Sequence, residues 1–542
     1  MNTLAKTTLG LISCFVMTSG AGQTATVVWT GATNDWSLNT NWSPTTNPPL
    51  ATDMARFTTS GNTTPTLAAG SFTIKQINYN GDTNFNITGA GSANTTLTID
   101  ANSTTSGLAF IDSTAGTATN QTFSNLTVVL TNSLVSPQMK IQSGDGKGVT
   151  IASNSKLQIG TGSALALIVE ANGPGTGSGA LTINGVLSAG VTGSSIKADT
   201  SGVLNLNLAA GSNLANLSLV TGTGGVINFV GGGDYGGSVN PAAGTVNLAT
   251  SGITVGSSTS FVFSAGGVIG ATYGSGTSTI AGTVTFTTGG GAARVNTFDV
   301  GTGATLEISG ATNGGNTGSN SVNKIGNGTL NLTKSTGNAI SASAFNVSVG
   351  TLLVNNTSGS ATGATVPVNV ASGATLGGAG RITGNTTISG ILAPGNSIGT
   401  LTVVNDVTWN GGASPSAATD WKFEIDAGNT ADLLNILDGG TTSEFLKGTG
   451  TAFRFDFQGG TALGTFKLVG WQSTASLGGG ALGTSFALSD FSSTGLGNGH
   501  IGTFQFTGTQ LEFVTTVPEP ATWALLAFSL TTVVVLRRRR LQ

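Results

Sequence analysis

The chain is poor in charge. Only 8% of its 542 residues are Asp, Glu, Lys or Arg. So sparse a supply of titratable groups leaves little from which to build paired acids and bases, and the chain is expected to be neither an enzyme nor the holder of a cofactor or metal. It has one histidine, His500, in the turn-forming run Gly497-Asn-Gly-His500. A Ser-His-Asp triad or a histidine metal cluster therefore has a single candidate member. The one cysteine, Cys14, lies within the first 25 residues, which excludes an intrachain disulfide framework and a cysteine-built zinc site from the rest of the chain. Positive charge is scarcer still, because four of the 19 basic residues form the run Arg537, Arg538, Arg539 and Arg540. Setting aside that run, Lys6 and Glu519, 14 basic residues face 21 acidic ones. A mildly acidic body has no basic stripe to neutralise phosphates, so nucleic acid is not an expected partner.

What the chain does have is glycine, 85 residues of it, set among Thr, Ser, Asn, Val and Leu. β-Branched residues suit a pleated surface, and Gly and Asn supply turns. With 38% hydrophobic residues and a mean hydropathy of +0.21, the chain can bury a core. From about residue 150, short alternating strands recur after a glycine: Gly179-Ala-Leu-Thr-Ile, Gly202-Val-Leu-Asn-Leu, Gly225-Val-Ile-Asn-Phe, Gly244-Thr-Val-Asn-Leu and Gly282-Thr-Val-Thr-Phe. The series runs on through Gly303, Gly328, Gly350, Gly373 and Gly399 at spacings near 22 residues, and the one long interval, from Gly244 to Gly282, reads as two short repeats. A fixed period of this length marks a solenoid, and Gly-strand units without helical periodicity make it an all-β, right-handed parallel β-helix. Ten coils at the strand spacing predict a rod of about 50 Å, longer if residues before 150 join it. From 404 to 516 the rhythm gives way to aromatic strands, such as Ala452-Phe-Arg-Phe-Asp-Phe457, which read as a C-terminal β-sandwich-like cap.

The two ends carry signals. Residues 1–25 place Lys6, an apolar run from Leu9 to Met17 and small residues in the order of a secretory signal peptide, with cleavage expected after Ala21 and Ala25 as an alternative. A rival reading takes Leu11-Ile-Ser-Cys14 as a lipoprotein box. Residues 517–542 read Val517, Pro518, Glu519, Pro520, then sixteen uncharged residues from Ala521 to Leu536, then the four arginines. Such a helix reaches about 24 Å, short of a hydrocarbon core of about 30 Å, a deficit that snorkelling arginines would cover as a cytoplasmic tail. The expected division is thus a signal peptide (1–25), an N-terminal β region holding an opening motif and early coils (26–150), β-helix repeats (151–403), the cap (404–516) and a sorting segment with a transmembrane helix (517–542).

That last segment, a Val-Pro-Glu-Pro motif followed by a short apolar helix and an arginine cluster, resembles the PEP-CTERM sorting signal. The resemblance implies recognition by an exosortase-type membrane transpeptidase, with cleavage near Pro518 to Pro520. From Lys324 to Ile436 the chain also resembles the autotransporter-associated β-strand repeat, in Lys324-Ile-Gly-Asn-Gly-Thr-Leu, Ser372-Gly-Ala-Thr-Leu-Gly-Gly-Ala-Gly-Arg-Ile382 and Leu392-Ala-Pro-Gly-Asn-Ser397. The departure is at the end, where an autotransporter has a β-barrel and this chain has a helix. Together these imply an exported cell-surface or matrix protein, structural or adhesin-like, whose partners are the general secretion machinery, the membrane and extracellular polysaccharide. The alternative is a carbohydrate-binding protein or β-helix polysaccharide lyase, for which Trp29, Trp36 and Trp42, read as exposed, offer ring faces to sugars. Other local patterns read as ordinary structure. Gly231-Gly-Gly-Asp-Tyr-Gly236 has dinucleotide-loop spacing with no helix to follow, Gly144-Asp-Gly-Lys-Gly148 is a turn, and Glu424, Asp426 and Asp432 are a polar face or at most a calcium site.

Overall fold

The computed structural model describes residues 25–518 and 522–539, apart from 46, 59–60, 102–108, 116–119, 133–137, 144–146, 172–178, 288–292, 316–319, 440–442, 461 and 473–485. The expected cleavage site at Ala21 lies outside the described residues, as do Cys14, Glu519, Pro520 and Arg540.

Parallel strands dominate. Each full coil lays one strand on each of three faces, as Gly148–Ile151, Lys156–Ile159 and Ala166–Ala171 do before the chain returns to the first face with Ala180–Ile183. The first face is a sheet of 16 strands, another has 14, and the third begins as a five-stranded sheet and resumes as one of seven. Sixteen strands at the usual lateral spacing stack over about 70 Å. The coiling begins at the first described strand, since Thr26–Trp29 already pairs in parallel with Met54–Phe57.

The glycine that opens each motif has a steric cause. A Cβ on Gly225 would sit inside the carbonyl oxygen of Ala198 on the previous coil, and one on Gly244 inside that of Gly225. The strands that follow alternate in and out. Leu204, Ile227, Val246 and Ile269 stack in register as one fully buried column. Outside, Asn228 donates from Nδ2 to Asn205 Oδ1 at 2.9 Å and Asn247 to Asn228 at 3.2 Å, an amide ladder running along the sheet. Each apolar side chain so buried stabilises by about 1.5–3 kcal/mol, and each ladder bond adds about 1 kcal/mol.

The repeated motif does not stay on one face. Gly202, Gly225 and Gly244 open strands of the 16-stranded sheet, whereas Gly282 opens Thr283–Phe286 of the 14-stranded one. The long interval from Gly244 to Gly282 is therefore a change of face and not two short repeats. The coil it spans is of ordinary length, with Thr245 beside Val268.

A second difference concerns residues 404–516. In place of a β-sandwich-like cap, the coils continue. Thr400–Val404, Leu433–Leu437 and Thr465–Gly470 pair in parallel, as do Trp421–Glu424, Phe453–Gly460 and Phe491–Leu496. Their aromatic residues fill the inside of wider coils, with Trp409 and Trp421 stacked at 3.8 Å. Only the last turn departs: Gln510–Thr516 runs antiparallel to Thr465–Gly470 and carries Ile501–Phe506 antiparallel on its other side. At the opposite end Trp42–Ser43 lies antiparallel on Thr26–Trp29.

Beyond Pro518 comes the helix Thr522–Arg539. Eighteen residues reach about 27 Å, but the last three are arginines, so the uncharged part spans about 22 Å. No helix among the described residues is long and apolar enough to cross a membrane, which corrects the expected transmembrane helix.

Candidate functional site

The tryptophans do not offer themselves to sugars. Trp29, Trp36 and Trp42 are buried, with Trp29 and Trp36 packed edge to face on Trp42 at 4.9 and 4.7 Å and Phe57 beside all three. Trp29 donates from Nε1 to Asn62 O and Trp42 to Trp36 O, both at 2.8 Å. They plug the open end of the solenoid core. The alternation in Thr26-Val-Val-Trp29, which puts Val27 and Trp29 on one face, carries that signal.

The three C-terminal carboxylates are not assembled into one site either. Asp432 turns inward and accepts the backbone N–H of Glu424 at 2.8 Å and of Gly399 at 2.9 Å, clasping two coils together. Burial pushes its pKa up to about 6 against those two hydrogen bonds, with the Glu424 charge adding to the rise. Asp426 closes its own turn through the Thr430 hydroxyl and Gly428 N–H, which hold its pKa down. Glu424 faces outward beside Ser397 at 3.4 Å. Among the described residues no group of three His, Cys, Asp or Glu side chains is placed to hold a metal ion. His500 follows a turn closed by its own N–H to Gly497 O, and its Nδ1 is buried without a partner. The Gly231–Gly236 segment is a turn in which Asp234 accepts the Ser258 N–H and hydroxyl, and a strand follows it, not a helix. Residues 144–146 of the other glycine turn lie outside the described residues.

Sequence reasoning missed Lys324. It stands in the column Ile269, Phe298, Lys324, Val347, Val370, fully buried where its neighbours are apolar. Its ammonium donates to the carbonyls of Ile325 at 2.8 Å, Gly326 at 2.7 Å and Val349 at 3.1 Å, which uses all three of its protons. Burial lowers its pKa to about 8, opposed by the Asp299 carboxylate. The available signal is the spacing of Val322 and Lys324, two apart on one strand and so on one face.

Two features are left facing outward. The first is the C-terminal segment, where Val517 and Pro518 are exposed and the helix leaves Phe528, Leu530 and Val533 to Leu536 between 53 and 78% exposed, ahead of the exposed Arg537 to Arg539. The second is a polar groove of about 440 Å³ at a corner of the solenoid. Three successive coils line it, the first with Asn355, Asn356 and Thr357, the second with Ala379, Gly380 and Arg381, the third with Asn396 and Thr402. Asn355 Oδ1 accepts Ala379 N–H at 3.1 Å and Asn396 Nδ2 at 2.9 Å, while Asn356 Oδ1 accepts Arg381 N–H at 2.8 Å, so the walls are held in place.

No protein-family model matches the chain, and no curated protein matches it.

Proposed function

We propose that this chain is an exported structural or adhesive rod of the cell envelope or extracellular matrix. General secretion machinery delivers it, and an exosortase-type transpeptidase processes it at Val517, Pro518, Glu519 and Pro520. The reading takes the coil as right-handed, the hand that parallel crossovers favour. The observation that carries it is the exposed apolar helix. Side chains such as Phe528 and Leu536, left exposed on the helix, are supported against lipid and not in water. The helix is not long and apolar enough to cross a bilayer, which suits contact with the membrane surface, the terminal arginines lying among the headgroups. Pro518 and Pro520 favour an extended backbone around Glu519, the form a protease accepts.

A rod without catalysis is supported by how its charges are used. Lys140 pairs with Glu170 at 3.0 Å, Lys197 with Asp199 at 2.5 Å, Lys447 with Asp490 at 2.6 Å and Arg454 with Asp420 at 2.5 Å. The lyase alternative would need such groups facing a substrate. The test is fractionation of cells with and without the exosortase, with mass spectrometry of the mature C-terminus. Surface protein ending between Val517 and Ala521, dependent on the enzyme, is the expected result. Surface-located protein that still carries Arg540 would refute the processing.

A further inference from the structure

We propose that the corner groove at Arg381 binds an acidic polysaccharide, with the guanidinium taking the anionic group of a sugar unit and the surrounding amides and hydroxyls taking its ring hydroxyls. This deepens the envelope reading and rests on it for the setting, a surface among polysaccharides.

Arg381 differs from most cations of the rod. Four of those are ion-paired, Lys324 and Lys334 hold carbonyls, Arg56 holds Asn78 and Arg294 holds the Ser264 carbonyl and Thr287. The Arg381 guanidinium has no hydrogen-bond or ion-pair partner among the described residues, although the residue is half-buried and lines this polar groove of about 440 Å³. A planar fork of donors drawn partly out of water is compensated by a carboxylate or sulfate, which it can grip with two parallel hydrogen bonds.

The groove is built to stay open. Ala379 and Gly380 are among its lining residues, and a Cβ on Gly380 would meet Asn356 Oδ1 and, at 2.8 Å, the Val354 carbonyl oxygen, so no larger residue fits there. Asn396 spends one amide proton on Asn355 and keeps its carbonyl oxygen and a second proton for a ligand, and Thr402 lies beside Arg381 in register. Walls fixed before binding cost no ordering when a ligand arrives.

A polymer fits better than a single sugar. The row of partly exposed side chains continues from Arg381 through Thr402 to Asn435, each beside the last, over about 10 Å of sheet, and ends against the buried Gly470. At its far end Lys467 leans over Gly470, where its Nζ would lie 2.8 Å from a Cβ. The opposing Glu512 carboxylate is engaged by Gln505, Thr507 and Gln510. The row thus presents one cation at each end and neutral hydrogen-bonding groups between.

The experiment is affinity electrophoresis of the full chain in mild detergent through gels containing polygalacturonate, its methyl ester or dextran sulfate. Retardation by at least one anionic polymer and not by the ester is expected, and the polymer that retards distinguishes carboxylate from sulfate. Arg381→Ala should weaken that binding at least tenfold, and Arg381→Lys by less, with unchanged melting. Arg381→Gln serves if the alanine variant melts early. No retardation by either anionic polymer, equal retardation by the ester, or full binding by both Arg381→Ala and Arg381→Gln would overturn the assignment. Because this reads neither location nor C-terminal processing, its failure leaves the envelope reading standing, and failure of that reading shows instead in the fractionation.

Discussion

The thin coils of the middle of the rod and the wide coils near its C-terminus obey the same pairing rule with different fillings. In the middle, aliphatic side chains such as Leu204, Ile227 and Val246 stack directly on one another. Toward the end, coils that take more residues enclose a wider space, and Trp409, Trp421, Phe453, Phe455, Phe486 and Phe491 close it. Coil circumference, not strand pairing, decides which side chains a parallel stack needs. Buried ionisable groups lie in both fillings, Lys324 in the thin coils and Asp420 and Asp432 in the wide ones.

The comparison breaks most sharply at the aromatic end. Trp409→Ala should cost about 3–5 kcal/mol, because a cavity opens against Trp421 that neighbouring coils cannot close. Urea unfolding should show the C-terminal coils melting before the middle ones, and a single unchanged transition would show that the wide coils are not the weaker region.

Lys324 and Asp432 should respond to pH in opposite senses. Folding lowers the Lys324 pKa from 10.5 to about 8, so the unfolded chain holds the extra proton between those values and this group's contribution to stability rises as pH climbs from about 8 to 10.5. The full difference is on the order of 3 kcal/mol. Thermal melts of the wild type and Lys324→Met across that range should differ in slope, and parallel curves would refute the burial. Asp432 works the other way. Its folded pKa of about 6 exceeds the unfolded 3.8, so its contribution is fully present below about 3.8 and lost as pH rises through 6, by slightly less. Asp432→Asn should flatten that fall, measured as denaturant midpoints at pH 4 and 7.

The smallest effect belongs to the outer surface. Asn228→Ala removes a rung shared with Asn205 and Asn247 and should cost about 0.5–1 kcal/mol, readable by hydrogen exchange in the two flanking strands. Loss of protection along the whole sheet would mean that the ladder organises the rod and does not merely decorate it.

The coil could be read from the chain because its cause is local. Gly225 is a glycine since the carbonyl of Ala198 occupies the place of a Cβ, and the four residues after it alternate because one face is buried. What could not be read depends on which residues meet across coils. The run Ala452 to Phe457 alternates equally well in a sandwich and in a wide coil, and only its parallel partners at Trp421–Glu424 and Phe491–Leu496 decide between them. Trp36 and Trp42 carry no sign of burial until Thr26–Trp29 pairs Trp29 with Trp42, which also meets Trp36 edge to face. The groove is invisible for the same reason: Asn356, Arg381 and Asn396 belong to three different coils, and only their stacking makes a cleft.

The antiparallel strand Gln510–Thr516 has a consequence for growth. A parallel stack whose last rung stayed open would accept another molecule's first rung at the same spacing, and the product would be a fibre of indefinite length. A strand laid in the reverse direction does not offer that parallel template on its sheet, and the reversed strand Trp42–Ser43 covers the first rung at the other end. The coiled body of one molecule therefore takes its span from its number of coils.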